Sequence, residues 1–150
     1  MSQSSSHESI QDAQTQIIHN FRAFNDWVDR YAYLVDMGKK IIRDGNHLKS
    51  DQYKITGCQS NVWLCTEVTD NKLYFSGTSD STIVAGLMAL LFRVYSGHTA
   101  DEIQRASPDF ITQTGLLHNL TSQRSTGLAR MIEQIYLSAH QSYQQQALSK

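Results

Sequence analysis

The segment Ile83 to Tyr95 constrains this chain most. Ile83, Val84, Leu87, Met88, Leu91, Val94 and Tyr95 recur at helical spacing, and Arg93 is the only charge among them. A helix that is apolar nearly all round has no face to give to water, so other elements must enclose it. Its uninterrupted apolar run, Ile83 to Phe92, is about half of the roughly 20 residues that span a bilayer, and it contains Gly86. The enclosing medium is therefore expected to be protein, and this helix the centre of a core. Ser79, Asp80 and Ser81 stand before it, each a good N-cap.

The flanking sequence supplies the enclosure. Ile10, Ile17, Ile18 and Phe21 share one helical face, and Phe24, Trp27, Val28, Tyr31, Leu34 and Val35 repeat the spacing up to Gly38, which predicts two helices or one bent helix. Val62 to Val68 alternates, with Val62, Leu64 and Val68 on one face. Asp70-Asn71 forms a two-residue turn candidate, and Lys72 to Ser76 returns as a second strand before Gly77. After Gly97, the Thr99-Ala100-Asp101-Glu102 capping-box pattern opens a short helix ending near Ser107-Pro108. A last helix carries Leu128, Met131, Ile132, Ile135, Tyr136 and Ala139 on one stripe and is expected to fray in the glutamine-rich tail from Gln141. Together these predict an α+β fold, a small antiparallel sheet with helices packed against it.

At 150 residues the chain fits one domain, able to bury roughly 70% of its unfolded surface, with residues 1–9 and 143–150 expected to be disordered or frayed. Thirteen basic and fourteen acidic side chains leave a formal charge of −1, which offers no footprint for phosphate backbones or anionic lipid. Neither nucleic acid nor a membrane is expected as a partner. Met1 to Glu8 is serine-rich without a basic start or an apolar stretch, so no secretion signal is read there and a cytoplasmic location is expected. In that reducing compartment the two cysteines, Cys58 and Cys65, are expected to be free thiols.

Of the two, Cys58 carries the chemistry. It lies in Gly57-Cys58-Gln59-Ser60-Asn61, a polar turn that runs into the first strand. Gly57 permits a tight backbone, and Gln59, Ser60 and Asn61 are poor core residues, so the thiol is placed at a loop tip, where reactive groups collect. The competing reading is a small buried hydrophobe, since free cysteine is usually buried and inert. Cys65 fits that description, flanked mid-strand by Leu64 and Thr66. His7, His19, His47, His98, His118 and His140 are dispersed without ligand spacing, so no metal is expected, and no cofactor-binding motif is present.

Several separated segments carry a family likeness. Phe24-Asn25-Asp26-Trp27 with Tyr31, Tyr33 and Gly38, then Gly57-Cys58-Gln59-Ser60 with Trp63, then Gly77-Thr78-Ser79-Asp80 and Ile83 to Leu87, then Arg124-Ser125 with Gly127-Leu128, resemble the SufE family in order and spacing from about Phe21 to Ile135. The resemblance implies a SufE/IscU-like fold and a protein that accepts sulfur from the persulfide of a PLP-dependent cysteine desulfurase, SufS-like or CsdA-like. It further implies that the chain raises desulfurase turnover and passes sulfur toward an iron–sulfur scaffold, without being a desulfurase itself. It makes Cys58 the persulfide-bearing residue. Gly57, Gln59, Ser60, Asp80 and Arg124 then support the cysteine loop or contact the partner, Arg124 being the candidate cation for the thiolate.

Against the family pattern, Asn119 stands where a histidine is common, with His118 one place earlier; Ser122 replaces a common proline, and Asn61 a frequent glutamine. An acid–base role for the missing histidine is thereby put in doubt. Two other readings stay open: an assembly scaffold of IscU type, which would need more cysteine ligands than this chain has, and an interaction domain with an inert cysteine. A homodimer is neither required nor excluded.

Overall fold

The structure is a computed structural model and describes residues 8–149. The disorder expected for residues 1–9 falls, up to residue 7, outside the described residues. Ser9 is ordered as an N-cap, its side chain accepting from the Asp12 N–H, and opens α1 (Ile10–Arg22). The chain then breaks, and α2 (Trp27–Asp44) starts afresh with Asp26 as its N-cap, accepting from the Asp29 N–H. The two-helix alternative is therefore the one realised. Val28, placed on the apolar stripe by spacing, instead points outward and is 74% exposed.

Two short 3₁₀ turns, Asn46–Leu48 and Asp51–Tyr53, lead to β1 (Val62–Thr69) and β2 (Lys72–Ser79). Asp70 and Asn71 take φ of 53° and 63°, the left-handed pair that a tight hairpin turn requires. The second strand does not stop before Gly77: pairing runs on through Leu64↔Gly77 to Val62↔Ser79. A third strand, β3 (His98–Thr99), pairs antiparallel with the start of β2, giving the order β1-β2-β3. It is too short for alternation to signal it.

Between β2 and β3 lies α3 (Thr82–Tyr95), the apolar helix, capped by Ser81, whose Oγ accepts from the Val84 N–H. It packs on α1, α2, β2 and the last helix, the enclosure that its composition demands. Against α2 the approach is backbone to backbone. A Cβ on Gly86 would collide with the Leu34 carbonyl, and one on Gly38 with the Thr82 carbonyl, so this pair of glycines sets the α2–α3 crossing.

The capping box of α4 (Ala100–Arg105) forms as the sequence requires, with Thr99 and Glu102 exchanging bonds. α5 (Asp109–Gln113) and a 3₁₀ turn, Leu116–Asn119, follow. The last helix, α6 (Ser122–Ser149), is helical past Gln141 and residue 143 as far as Ser149. Ser142 is buried there, so the glutamine-rich stretch still keeps one packed face.

The sheet has two unlike faces. Val62, Leu64, Leu73 and Phe75 join the main core with α3 and α6. Trp63 and Cys65, alternating with them, are covered by the stretch from α2 to the first strand: Lys49 Nζ sits 5.6 Å from the Trp63 ring centroid, and Lys54 pairs with Trp63. Cys65 is buried in β1, and the Cys65 side chain beside the Tyr53 hydroxyl pushes the tyrosine pKa up. This burial in a strand is the structural setting expected for Cys65.

Candidate functional site

The cysteine loop spans residues 56–61 between two anchors. At its start the Ile55 N–H donates to the Val62 carbonyl at 2.8 Å. At its end the Asn61 carbonyl accepts from Ser79 Oγ at 2.8 Å and from the Asp80 N–H at 3.2 Å, while Asn61 Nδ2 donates to Asp80 Oδ2 at 2.6 Å. Between the anchors, among the described residues, no backbone–backbone hydrogen bond holds Thr56 to Ser60. The loop is pinned at both ends by hydrogen bonds of a kind that its middle lacks.

Gly57 turns the chain with φ of +87°, a conformation that side chains rarely take. Cys58 follows, half-buried and packed on the edge of the main core, while Gln59 is exposed and Ser60 half-buried. The thiol is thus neither a core residue nor fully open. Burial pushes its pKa up, and the positive charge of Arg130 partly offsets that. Loss of hydration penalises the anion, whereas a neighbouring cation favours it.

Asp80 was a candidate N-cap for α3, but Ser81 performs that role. Asp80 instead holds Asn61, with Lys49 Nζ 3.9 Å from its other carboxylate oxygen. Arg124 lies in the first turn of α6, half-buried, its N–H reaching Thr121 Oγ1 at 3.4 Å. Along the helix it is one turn before Leu128, which belongs to the core stripe. Asn119 is built into the fold: its Nδ2 donates to the Gly115 carbonyl at 2.9 Å, and its own carbonyl accepts from the Tyr31 hydroxyl. His118 beside it is exposed.

Sequence reasoning missed Arg130. Its guanidinium lies directly against Gly57, so that a Cβ on that glycine would come within 2.7 Å of Nε. Two clefts flank the loop along α6. One of about 280 Å³ is lined by Gly57, Gln59, Ser122, Gln123 and Thr126; the other, of about 240 Å³, is lined by residues that include Thr56, Arg130 and Glu133. The helix face toward the loop is therefore the row Gln123, Thr126 and Arg130. Helical spacing from Gln123 could have placed Arg130 on that row, but only once the row was known to face the loop.

Among the described residues, no group of three or more His, Cys, Asp or Glu side chains is arranged to hold a metal ion. No helix among them is long and apolar enough to cross a membrane.

A small three-stranded antiparallel sheet wrapped by helices, with a single cysteine presented on a pinned loop, defines the class, and comparison with known proteins identifies it. Residues 15–139 match the family model "SufE: Fe-S metabolism associated domain", and the chain belongs to the SufE family. It is similar to an uncharacterized SufE-like protein of Rhizobium meliloti (strain 1021), 39% identical over 125 residues that cover 80% of this chain and 89% of the relative. It is also similar to the sulfur acceptor protein CsdE of Escherichia coli (strain K12), 35% identical over 125 residues, 82% of this chain and 85% of that one. A solution structure of a hypothetical protein from Thermus thermophilus has the same fold, with a TM-score of 0.71 at 16% identity, covering 88% of this chain and 96% of that chain.

Proposed function

We propose that this SufE-family chain accepts sulfur on Cys58 from the persulfide of a PLP-dependent cysteine desulfurase, stimulates that enzyme by clearing its persulfide, and hands the sulfur on toward an iron–sulfur scaffold in the cytoplasm. The observation that carries this reading is the setting of Cys58: a thiol on a glycine-led loop, half-buried on an apolar edge, beside a guanidinium. The name of the Escherichia coli relative, a sulfur acceptor, supports the same direction.

The step is thiol exchange. Cys58 loses its proton, and its thiolate attacks the outer sulfur of the desulfurase persulfide. A new S–S bond forms to Cys58 Sγ, the old S–S bond breaks, and its electron pair leaves on the desulfurase cysteine as a thiolate. No net oxidation occurs, so the chain needs no redox partner for this transfer. A persulfide on Cys58 would rest against the core edge that already half-covers the thiol, which limits its exposure to solvent thiols. Gly57, Gln59 and Ser60 shape the loop, Asp80 pins its end, and Arg124 is assigned to the contact with the desulfurase.

Desulfurase turnover measured with and without this chain tests the proposal. A several-fold rise that saturates with added chain is expected, and unchanged turnover with SufS-like and CsdA-like desulfurases alike would refute it.

A further inference from the structure

Arg130 is placed where the sulfur chemistry needs positive charge, and nothing in the motif residues points to it. Its guanidinium packs on Gly57, the residue before Cys58, and at the same time its Nη1 makes a 2.8 Å ion pair with Glu133 Oε1, one turn further along α6. The side chain is 46% exposed, so it is free to redistribute between its two neighbours. The other charged groups around the loop are Lys54, beside Arg130 and Glu133 in the same cleft, Arg124 in the first turn of α6, and the Lys49–Asp80 pair on the far side of Asn61. Lys49 is engaged by Asp80 and the Trp63 ring. Arg130 is the cation seated against the cysteine turn itself.

We propose that Arg130 is the positioning residue that supports the anionic forms of Cys58, the thiolate before transfer and the persulfide after it, and that Glu133 sets how much of its charge reaches the sulfur. The proposal rests on Cys58 as the sulfur acceptor and deepens that reading. While Glu133 holds the guanidinium, less of its charge reaches the half-buried thiol, whose burial disfavours the anion. When a persulfide anion forms, or a partner turns the loop toward solvent, the guanidinium can lean from Glu133 to sulfur and offset the loss of hydration. The ion pair with Glu133 is then a reserve of charge, because an exposed pair of this kind costs little to loosen.

The test is the pH profile of Cys58 alkylation by iodoacetamide in the free protein, followed at the Cys58 peptide by mass spectrometry so that Cys65 does not contribute. Arg130→Gln is expected to move the midpoint to higher pH and to slow alkylation at about pH 7.5 roughly threefold, a modest factor because the guanidinium is partly solvated. Glu133→Gln is expected to move it the opposite way, to lower pH, and Arg130→Lys to stay close to the parent. Opposite shifts cannot come from a shared loss of structure, and equal melting temperatures across the series confirm that folding is intact. Superimposable profiles for Arg130→Gln, Glu133→Gln and the parent, or shifts of both variants in one direction, would overturn the proposal. Sulfur loading of the parent by a desulfurase, read by intact mass, tests the acceptor reading separately. Its failure there would remove that reading, and the proposal with it, whatever the alkylation profiles show.

Discussion

Asn61 Nδ2 donates to Asp80 Oδ2 at 2.6 Å, and this bond joins the end of the cysteine loop to the residue that precedes the cap of the central helix. With the two bonds accepted by the Asn61 carbonyl, it makes a clamp that fixes where the loop ends without restraining its middle. The clamp residue Asp80 is 48% exposed at its side chain, so its contribution is modest and it can open.

Asp80→Ala is therefore expected to cost about 0.5–1 kcal/mol of stability, while loosening the loop more than that figure suggests. Amides of residues 56–61 should exchange faster, and Cys58 should alkylate faster at unchanged pH. Asp80→Asn, which keeps an acceptor for Asn61, should lie between. Hydrogen exchange and alkylation rates on the three proteins check this, and equal loop exchange in all of them would mean that Asp80 does not restrain the loop.

Gly57→Ala combines two penalties. A φ of +87° costs an L-residue roughly 1–2 kcal/mol, and the new methyl would push against Arg130. Thermal unfolding should show a loss of that size. Retained stability would mean that the loop relaxes freely around residue 57.

Gly86→Ala probes the core. Its methyl would strike the Leu34 backbone carbonyl, which cannot swing aside as a side chain does, so a loss of about 2–3 kcal/mol is expected in denaturant unfolding. A near-neutral result would show that α2 and α3 can separate without cost.

Acid should weaken the α4 capping box. The Glu102 carboxyl is held below the ordinary carboxylate range, chiefly by the Thr99 N–H that it accepts, with burial opposing. Its folded pKa lies below its unfolded one, so the stabilisation is present above the ordinary carboxylate pKa and is lost as pH falls through the folded value. Being solvent-screened, it amounts to about 0.5 kcal/mol. Glu102→Gln should destabilise the protein more at about pH 7 than at a pH well below the ordinary carboxylate range, judged by melting temperature. An equal loss at both would contradict the assignment.

Much of this fold was legible because its signals are local. The α3 helix shows itself by apolar spacing, the hairpin by Asp70-Asn71 between alternating runs, and α4 by its capping box. The errors have one kind of cause. β3 holds two residues and exists only because β2 is there to pair with it. The continuation of β2 through Gly77 is set by its register with β1, and the persistence of α6 past Gln141 is tied to buried Ser142. At the site, Cys58 could be singled out from its turn, whereas the change of Asp80 from cap to clamp needs Asn61 brought across from nineteen residues earlier in the chain. Arg130 reaches Gly57 from a different element, and no pattern along the chain encodes that meeting.

The loop should also respond to a partner. Lacking backbone bonds of their own, Thr56 to Ser60 should exchange faster than α3 in the free protein, and faster still with a desulfurase bound if binding draws Cys58 outward. Exchange as slow as that of α3 in both states would rule out a swinging loop.

The most direct measurement is the intact mass of the parent, Cys58→Ser and Cys65→Ala after incubation with a cysteine desulfurase and L-cysteine, without reductant. The parent and Cys65→Ala are expected to gain the mass of sulfur, removable by dithiothreitol, and Cys58→Ser to gain none. Sulfur retained by Cys58→Ser, or lost equally from both variants, would contradict Cys58 as the acceptor.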